Sequence, residues 1–224
     1  MTSNGSGGFV GFNQSQIDEC FIRLKGAYNH ADGSISTICG IGKDLSTAWA
    51  SPEAVEVINS YKTDMKKIME NVEDILVSTA DTMSMAYDGW CRTTGCTTHY
   101  PGNPQDWFLN LSTYFNYEPV DKFNDIVGVD ATQARAYVGY LRDIYAQRLY
   151  DDLKNILSII DECKGFIGGN MHPTLINNVS SLVLKIQNSV SSYVDKFSRS
   201  IDDTVSKYED TAGRITQSFY SNNG

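Results

Sequence analysis

The chain has 224 residues, enough for one large domain or two small ones with a sizeable core. A hydrophobic share of 41% with 20% charged residues argues against wholesale disorder. A formal net charge of −9 and a pI near 4.7 disfavour non-specific binding to nucleic acid or anionic membrane, since both repel such a surface.

Residues 1–12 read as a flexible N-terminus, polar over Met1–Gly8, with neither a basic n-region nor an apolar h-region. Synthesis in the cytosol, without a cleaved signal peptide, is therefore the expectation. No stretch approaches the ~20 consecutive apolar residues of a membrane-spanning helix, so no membrane insertion is expected.

The first periodic segment begins after Asn13, a good N-cap. Ile17, Phe21, Leu24, Tyr28, Ala31, Ile35, Ile38, Gly42, Leu45 and Trp49 follow at alternating steps of 4 and 3, the pattern of a coiled-coil seam. Gly33, Gly40 and Gly42 interrupt it and mark a bend or a close helix contact. Ser51-Pro52-Glu53 then restarts the helix: Ser caps, Pro suits the first helical position, and Glu complements the dipole. The second segment carries Ala54, Ile58, Tyr61, Met65, Ile68, Val72, Ile75, Thr79, Met83 and Ala86. A join of a few residues between two long helices predicts an antiparallel hairpin over residues 13–88.

Residues 89–129 change texture, with Gly95, Pro101, Pro104 and Pro119 among Trp90, Tyr100, Trp107, Phe115 and Tyr117. They read as a long aromatic-rich connecting segment with short helices. Asp130 caps a third helix, which runs through Ala134, Val138, Leu141, Tyr145, Leu149, Leu153, Ile156, Ile160 and Cys163 to a break at Gly165–Asn170. Pro173 opens a fourth, with Leu175, Val179, Leu182, Ile186, Val190, Tyr193, Phe197, Ile201, Val205, Tyr208, Ala212, Ile215 and Phe219 on its stripe. Residues 130–220 thus form a second hairpin, and the whole reads as all-α: two antiparallel helical hairpins in an elongated four-helix bundle.

The two hairpins align as copies. An offset of 117 places Leu24 on Leu141, Tyr28 on Tyr145 and Trp49 on Phe166. After the turn an offset of 121 places Pro52 on Pro173, Ile58 on Val179 and Tyr87 on Tyr208. An internal duplication explains this, with the length difference absorbed in the turn. Two such hairpins bury each other's seams within one chain as a monomeric pseudo-dimer, or between chains as a homodimer.

A heptad helix, a turn opened by Trp49-Ala50-Ser51, and a second long helix resemble the WXG family of type VII secretion substrates. Its members are small helix–turn–helix proteins with Trp-x-Gly at the turn, which pair as four-helix bundles and leave bacteria without a cleaved signal peptide. Both turns here depart from that motif: Ser51 stands where the family has Gly, and Phe166 precedes Gly168 where it has Trp. The resemblance implies an interaction role for Trp49, Ser51, Phe166 and Gly168. It also implies an export signal of the form Tyr-x-x-x-Asp/Glu. Tyr117 with Asp121 fits that form in the connection, and Tyr28 with Asp32 fits it inside the first helix. The function implied is a secreted, non-enzymatic helical protein whose partners are proteins, either secretion machinery or a helical partner. The alternative is a cytoplasmic scaffold or adaptor.

Chemistry is sparse. His30, His99 and His172 form no His-Glu-x-x-His pattern, and no Gly-x-Ser-x-Gly elbow occurs. Gly40-Ile41-Gly42-Lys43 lacks the spacing of a phosphate loop. No catalytic residue, metal site or cofactor is assigned. Cys91 and Cys96, with His99 nearby, leave three states open: a local disulfide, two thiols, or part of a zinc site.

Overall fold

The computed structural model describes residues 12–103, 106–107, 111–163 and 171–222. Helix dominates them, and the only named strands, β1 (Trp49–Ala50) and β2 (Gly128–Val129), are two residues each, so the fold class is all-α.

Helix α1 (Gln14–Ala48) starts where its cap dictates: the Gln16 N–H donates to Asn13 Oδ1 at 3.3 Å. Its seam residues, from Ile17 through Phe21, Tyr28, Ile35 and Ile38 to Leu45, are all buried at seven-residue repeats. Helix α2 (Pro52–Thr94) is capped by Ser51, whose Oγ accepts from the Ala54 N–H at 3.0 Å. It passes Gly89 without interruption and ends at Gly95, whose φ of +71° suits a residue lacking Cβ.

The stripe of α2 departs from the heptad expectation. Ala54, Ile58, Tyr61 and Met65 are buried, but the stripe then moves to Met69, Val72, Leu76, Ala80, Met83, Tyr87 and Cys91. Met65, Leu76 and Tyr87 are eleven residues apart, a period of about 3.67 that follows a nearly straight helix. Ile68, Ile75 and Ala86, expected on the seam, are only half-buried.

A 3₁₀ turn (Leu111–Thr113) precedes β2. Asp130 caps α3 (Ala131–Tyr140), its carboxylate accepting from the Gln133 N–H at 3.0 Å. The expected unbroken third helix is instead interrupted by a π-helical turn, Leu141–Tyr145, before α4 (Ala146–Glu162). The wide turn makes the next buried residue after Leu141 Ala146, five positions on, instead of Tyr145. From there Leu149, Leu153, Ile156 and Ile160 resume the buried face.

Helix α5 (Met171–Asn222) also runs at the eleven-residue period. Val179, Val190 and Ile201 form one buried row, and Val183, Val194 and Val205 another. Beyond Tyr208 the face is open: residues 209–219 are all exposed, including Ile215 and Phe219, which were expected on the seam.

Contacts divide the chain into two compact units that cut across the helices. The first takes α1 up to Asp32, α2 from Val72, α4 from Asp151 and α5 up to Lys185. Inside it, the Tyr28 hydroxyl donates to Leu76 O at 2.6 Å, and that of Tyr87 to Asp18 Oδ1 at 2.6 Å. Phe21 packs edge-on to Tyr100 with ring centroids 5.1 Å apart, and Arg23 pairs with Glu162.

The second unit takes α1 from Gly33, α2 up to Asn71, the chain from Leu111 to Tyr150, and α5 from Ile186. There the Tyr61 hydroxyl donates to Ile38 O at 2.6 Å, and its ring lies 4.5 Å from that of Phe197. Arg135 of α3 grips Glu209 of α5 through both terminal guanidinium nitrogens, at 2.9 and 2.8 Å.

Candidate functional site

The turn between α1 and α2 lies in the second unit. Trp49 pairs antiparallel with Val129, and Ala50 with Gly128, so the far end of the connecting segment is laced to the turn. The Asp130 N–H donates to Ala48 O at 2.7 Å and anchors the start of α3 to the same place. Trp49, Ala50 and Ser51 are all buried. The Trp49 indole N–H has no hydrogen-bond partner among the described residues, which marks the ring as an apolar plug. Phe166 and Gly168, the expected second turn motif, lie outside the described residues.

Just past the cap, Glu53 accepts from the Tyr208 hydroxyl at 3.3 Å. Its carboxyl is held below the ordinary glutamate range by its own backbone N–H first, then by the Ser51 and Tyr208 hydroxyls. Thr204, Lys207 and Thr211 complete a shallow groove around this pair.

Tyr117 and Asp121, the expected export signal, are placed very differently. Tyr117 is buried, with its hydroxyl donating to Cys39 O at 3.1 Å. The Lys62 ammonium donates to Tyr117 O at 2.6 Å and stands 5.1 Å above the centre of the tyrosine ring. Burial pushes the phenol far above its ordinary pKa. The ring fills the space over Gly42, where a Cβ would stand 2.7 Å from its Cε2 and Cζ. Gly42 thus marks a close approach, whereas nothing lies within 4 Å of a Cβ added at Gly33 or Gly40. Asp121 is exposed.

Between Asp121 and β2 the chain forms a tight hairpin of its own. Phe123 and Ile126 exchange both backbone hydrogen bonds at 2.8 Å, closing a tight hairpin over Asn124 and Asp125. Both turn residues have positive φ, 45° and 71°, as a two-residue I′-type turn requires. Lys122 pairs with Asp125 at 2.9 Å across it. Ile126 is 67% exposed and Val127 55%, with Phe123 and Val120 at 37% each. An Asn-Asp pair between Phe and Ile-Val was the available signal.

Cys91 and Cys96 are disulfide-bonded in the first unit, with Cα atoms 4.6 Å apart. The helix ending explains the proximity. Gly95 adopts the left-handed conformation, and the Cys96 N–H donates back to Cys91 O at 3.2 Å, the long bond of a Schellman ending. That motif normally brings these two positions into apolar contact, and here the contact is covalent. The Nδ1 of His99 lies 3.3 Å from Asp18 Oδ2.

No protein-family model matches the chain, and no curated protein or solved structure matches it either.

Proposed function

We propose that this protein is a non-enzymatic, WXG-like substrate or partner of a bacterial type VII secretion system that works through protein–protein contacts. The observation that carries this reading is the aromatic turn: two long helices joined through Trp49-Ala50-Ser51, with the indole buried and Ser51 capping the second helix. An antiparallel α1–α2 hairpin is supported inside the first unit, where Asp18 meets Tyr87 and Tyr28 meets Leu76, so one helix descends as the other ascends. The second hairpin, the duplication and a four-helix bundle belong to the same reading.

Because Trp49 and Tyr117 are buried, neither ring touches a partner in the folded chain. The contact surface is the hairpin that the turn anchors: exposed Phe123, Ile126 and Val127, with Asp121 beside them. Apolar side chains held on a rigid two-residue turn suit docking to another protein.

The test is export. Culture supernatants of wild type and of a strain lacking the type VII ATPase are compared for the protein. ATPase-dependent appearance outside supports the reading, and an Ile126→Asp/Val127→Asp variant then reports whether the hairpin is read. Retention in both strains, with a known substrate exported by the wild type, refutes it in favour of a cytoplasmic adaptor.

A further inference from the structure

We propose that Cys91–Cys96 is a thiol–disulfide exchange site, open at the Cys96 sulfur, for small aminothiols that carry a carboxylate. The bond joins two unlike positions. Cys91 sits in the last turn of α2 and is 4% exposed, whereas Cys96, past the helix end, is half-buried. An attacking sulfur must approach along the sulfur–sulfur axis, so the Cys96 end is the one within reach of a solute. A shallow groove of about 420 Å³ lies there, lined by Asp88, Cys91, Arg92, Cys96, Thr97 and Thr98.

The lining selects the ligand. It offers one cation, Arg92, and one anion, Asp88, whose carboxylate is held by the Tyr100 hydroxyl at 2.7 Å. A thiol bearing both a carboxylate and an ammonium group meets both. The groove outlasts the bond, because the chain beyond Cys96 is tied down independently of the sulfur. Gln14 Nε2 donates to Thr97 O at 2.6 Å, the Tyr100 hydroxyl to Ser84 O at 2.8 Å, and Lys25 Nζ to Pro101 O at 2.6 Å. The thiolate RS⁻ attacks the Cys96 sulfur, the bond to Cys91 breaks, and the Cys91 thiolate leaves and takes up a proton. A second RS⁻ attacks the R-bearing sulfur of the mixed disulfide, RSSR departs, and the Cys96 thiolate is protonated. Two RSH become one RSSR while the protein disulfide becomes two thiols, and RSSR drives the same steps backwards. A disulfide at a helix ending ordinarily only staples it. What sets this one apart is the half-buried outer sulfur beside a groove of both charges.

The proposal stands apart from the export reading and is tested on the purified full chain in native buffer. On the wild type, reduced glutathione should open Cys91 and Cys96 to alkylation while the buried Cys20, Cys39 and Cys163 stay unlabelled. Cys91→Ser and Cys96→Ser, each given oxidised glutathione, then trap the adduct for peptide mass spectrometry. Cys91→Ser should take glutathione on Cys96 about tenfold faster than Cys96→Ser takes it on Cys91. Adding Arg92→Ala to Cys91→Ser should slow oxidised glutathione about two- to fivefold more than it slows the uncharged disulfide of mercaptoethanol. A wild-type disulfide that glutathione reduces only in denaturant overturns the exchange site, as do equal rates at the two cysteines. Equal slowing of both disulfides by Arg92→Ala overturns the assignment to carboxylate-bearing thiols.

Discussion

Replacing Gly42 by Ala tests the packing that ties the connecting segment to α1. In an exposed helix interior the change gains about 1 kcal/mol through backbone entropy. At Gly42 the added Cβ meets the Tyr117 ring, which cannot swing aside cheaply. The ring is fixed by its bond to Cys39 O and by Lys62, which holds both the Tyr117 carbonyl and the ring face. Expelling it forfeits about 1 kcal/mol of hydrogen bond and roughly 1.5–3 kcal/mol of burial. The net loss is about 1.5–3 kcal/mol, which for a chain of this size lowers Tm by roughly 3–12 °C. Gly40→Ala, two residues away with open space around its Cβ, should instead raise stability by about 0.5–1 kcal/mol. The assay is urea and thermal unfolding followed by circular dichroism, completed by Gly42→Ala in a Tyr117→Ala background. Without the ring the same substitution should turn stabilising, a coupling well above the error of a double-mutant cycle. Gly42→Ala as benign as Gly40→Ala in the wild-type background would refute the reasoning.

Three further perturbations read other links. Ser51→Ala removes the buried cap of α2 and should cost about 1 kcal/mol in chemical unfolding, whereas Ser51→Gly should cost only a few tenths. Reducing Cys91–Cys96 opens a loop of a few residues, for which chain entropy predicts a loss of about 2 kcal/mol. The effect should be local, read as faster amide exchange around Thr94–Cys96 with little change along α1. Seven of the 13 tyrosines, Tyr28, Tyr61, Tyr87, Tyr100, Tyr117, Tyr150 and Tyr193, have phenols pushed up chiefly by burial, Tyr87 to about 12. Their folded pKa values exceed the unfolded value near 10, so their contribution is complete below pH 10 and is lost as pH rises beyond it. Phenolate absorbance should therefore lag behind that of the chain in denaturant. Coincident titration curves would contradict the burial.

Local signals carried most of the secondary structure. Asn13, Ser51 and Asp130 each cap the helix they precede, because a cap depends on one side chain and the backbone three residues on. The phase of α2 was harder to read for a definite reason. Ile68-Met69, Ile75-Leu76 and Ala86-Tyr87 each offer two adjacent apolar residues, and a heptad takes the first where the eleven-residue period takes the second. Only packing decides. The π turn at Leu141–Tyr145 is invisible for the same reason, since both Tyr145 and Ala146 can serve an apolar face. A lone glycine such as Gly89 weakens a helix without ending it, so α2 runs on to Gly95. A long-range pairing such as Gly42 with Tyr117 leaves no periodic trace at all.

The burial of the first turn changes what a turn motif can mean in this chain. A tryptophan presented to a partner must keep its ring, or at least its indole N–H, within reach of solvent. Trp49 does neither, and β2 runs along its backbone. What the turn does mechanically is hold Gly128 and Val129, and through them the hairpin whose Phe123, Ile126 and Val127 face outward. Changes to the two layers should therefore separate. Trp49→Phe keeps an apolar plug that needs no hydrogen bond, and should leave both fold and partner binding nearly intact. Ile126→Asp with Val127→Asp leaves the core untouched, and should abolish partner binding without lowering Tm. If Trp49→Phe abolishes binding while Tm is unchanged, the indole itself is read, and the hairpin loses its claim as the contact surface.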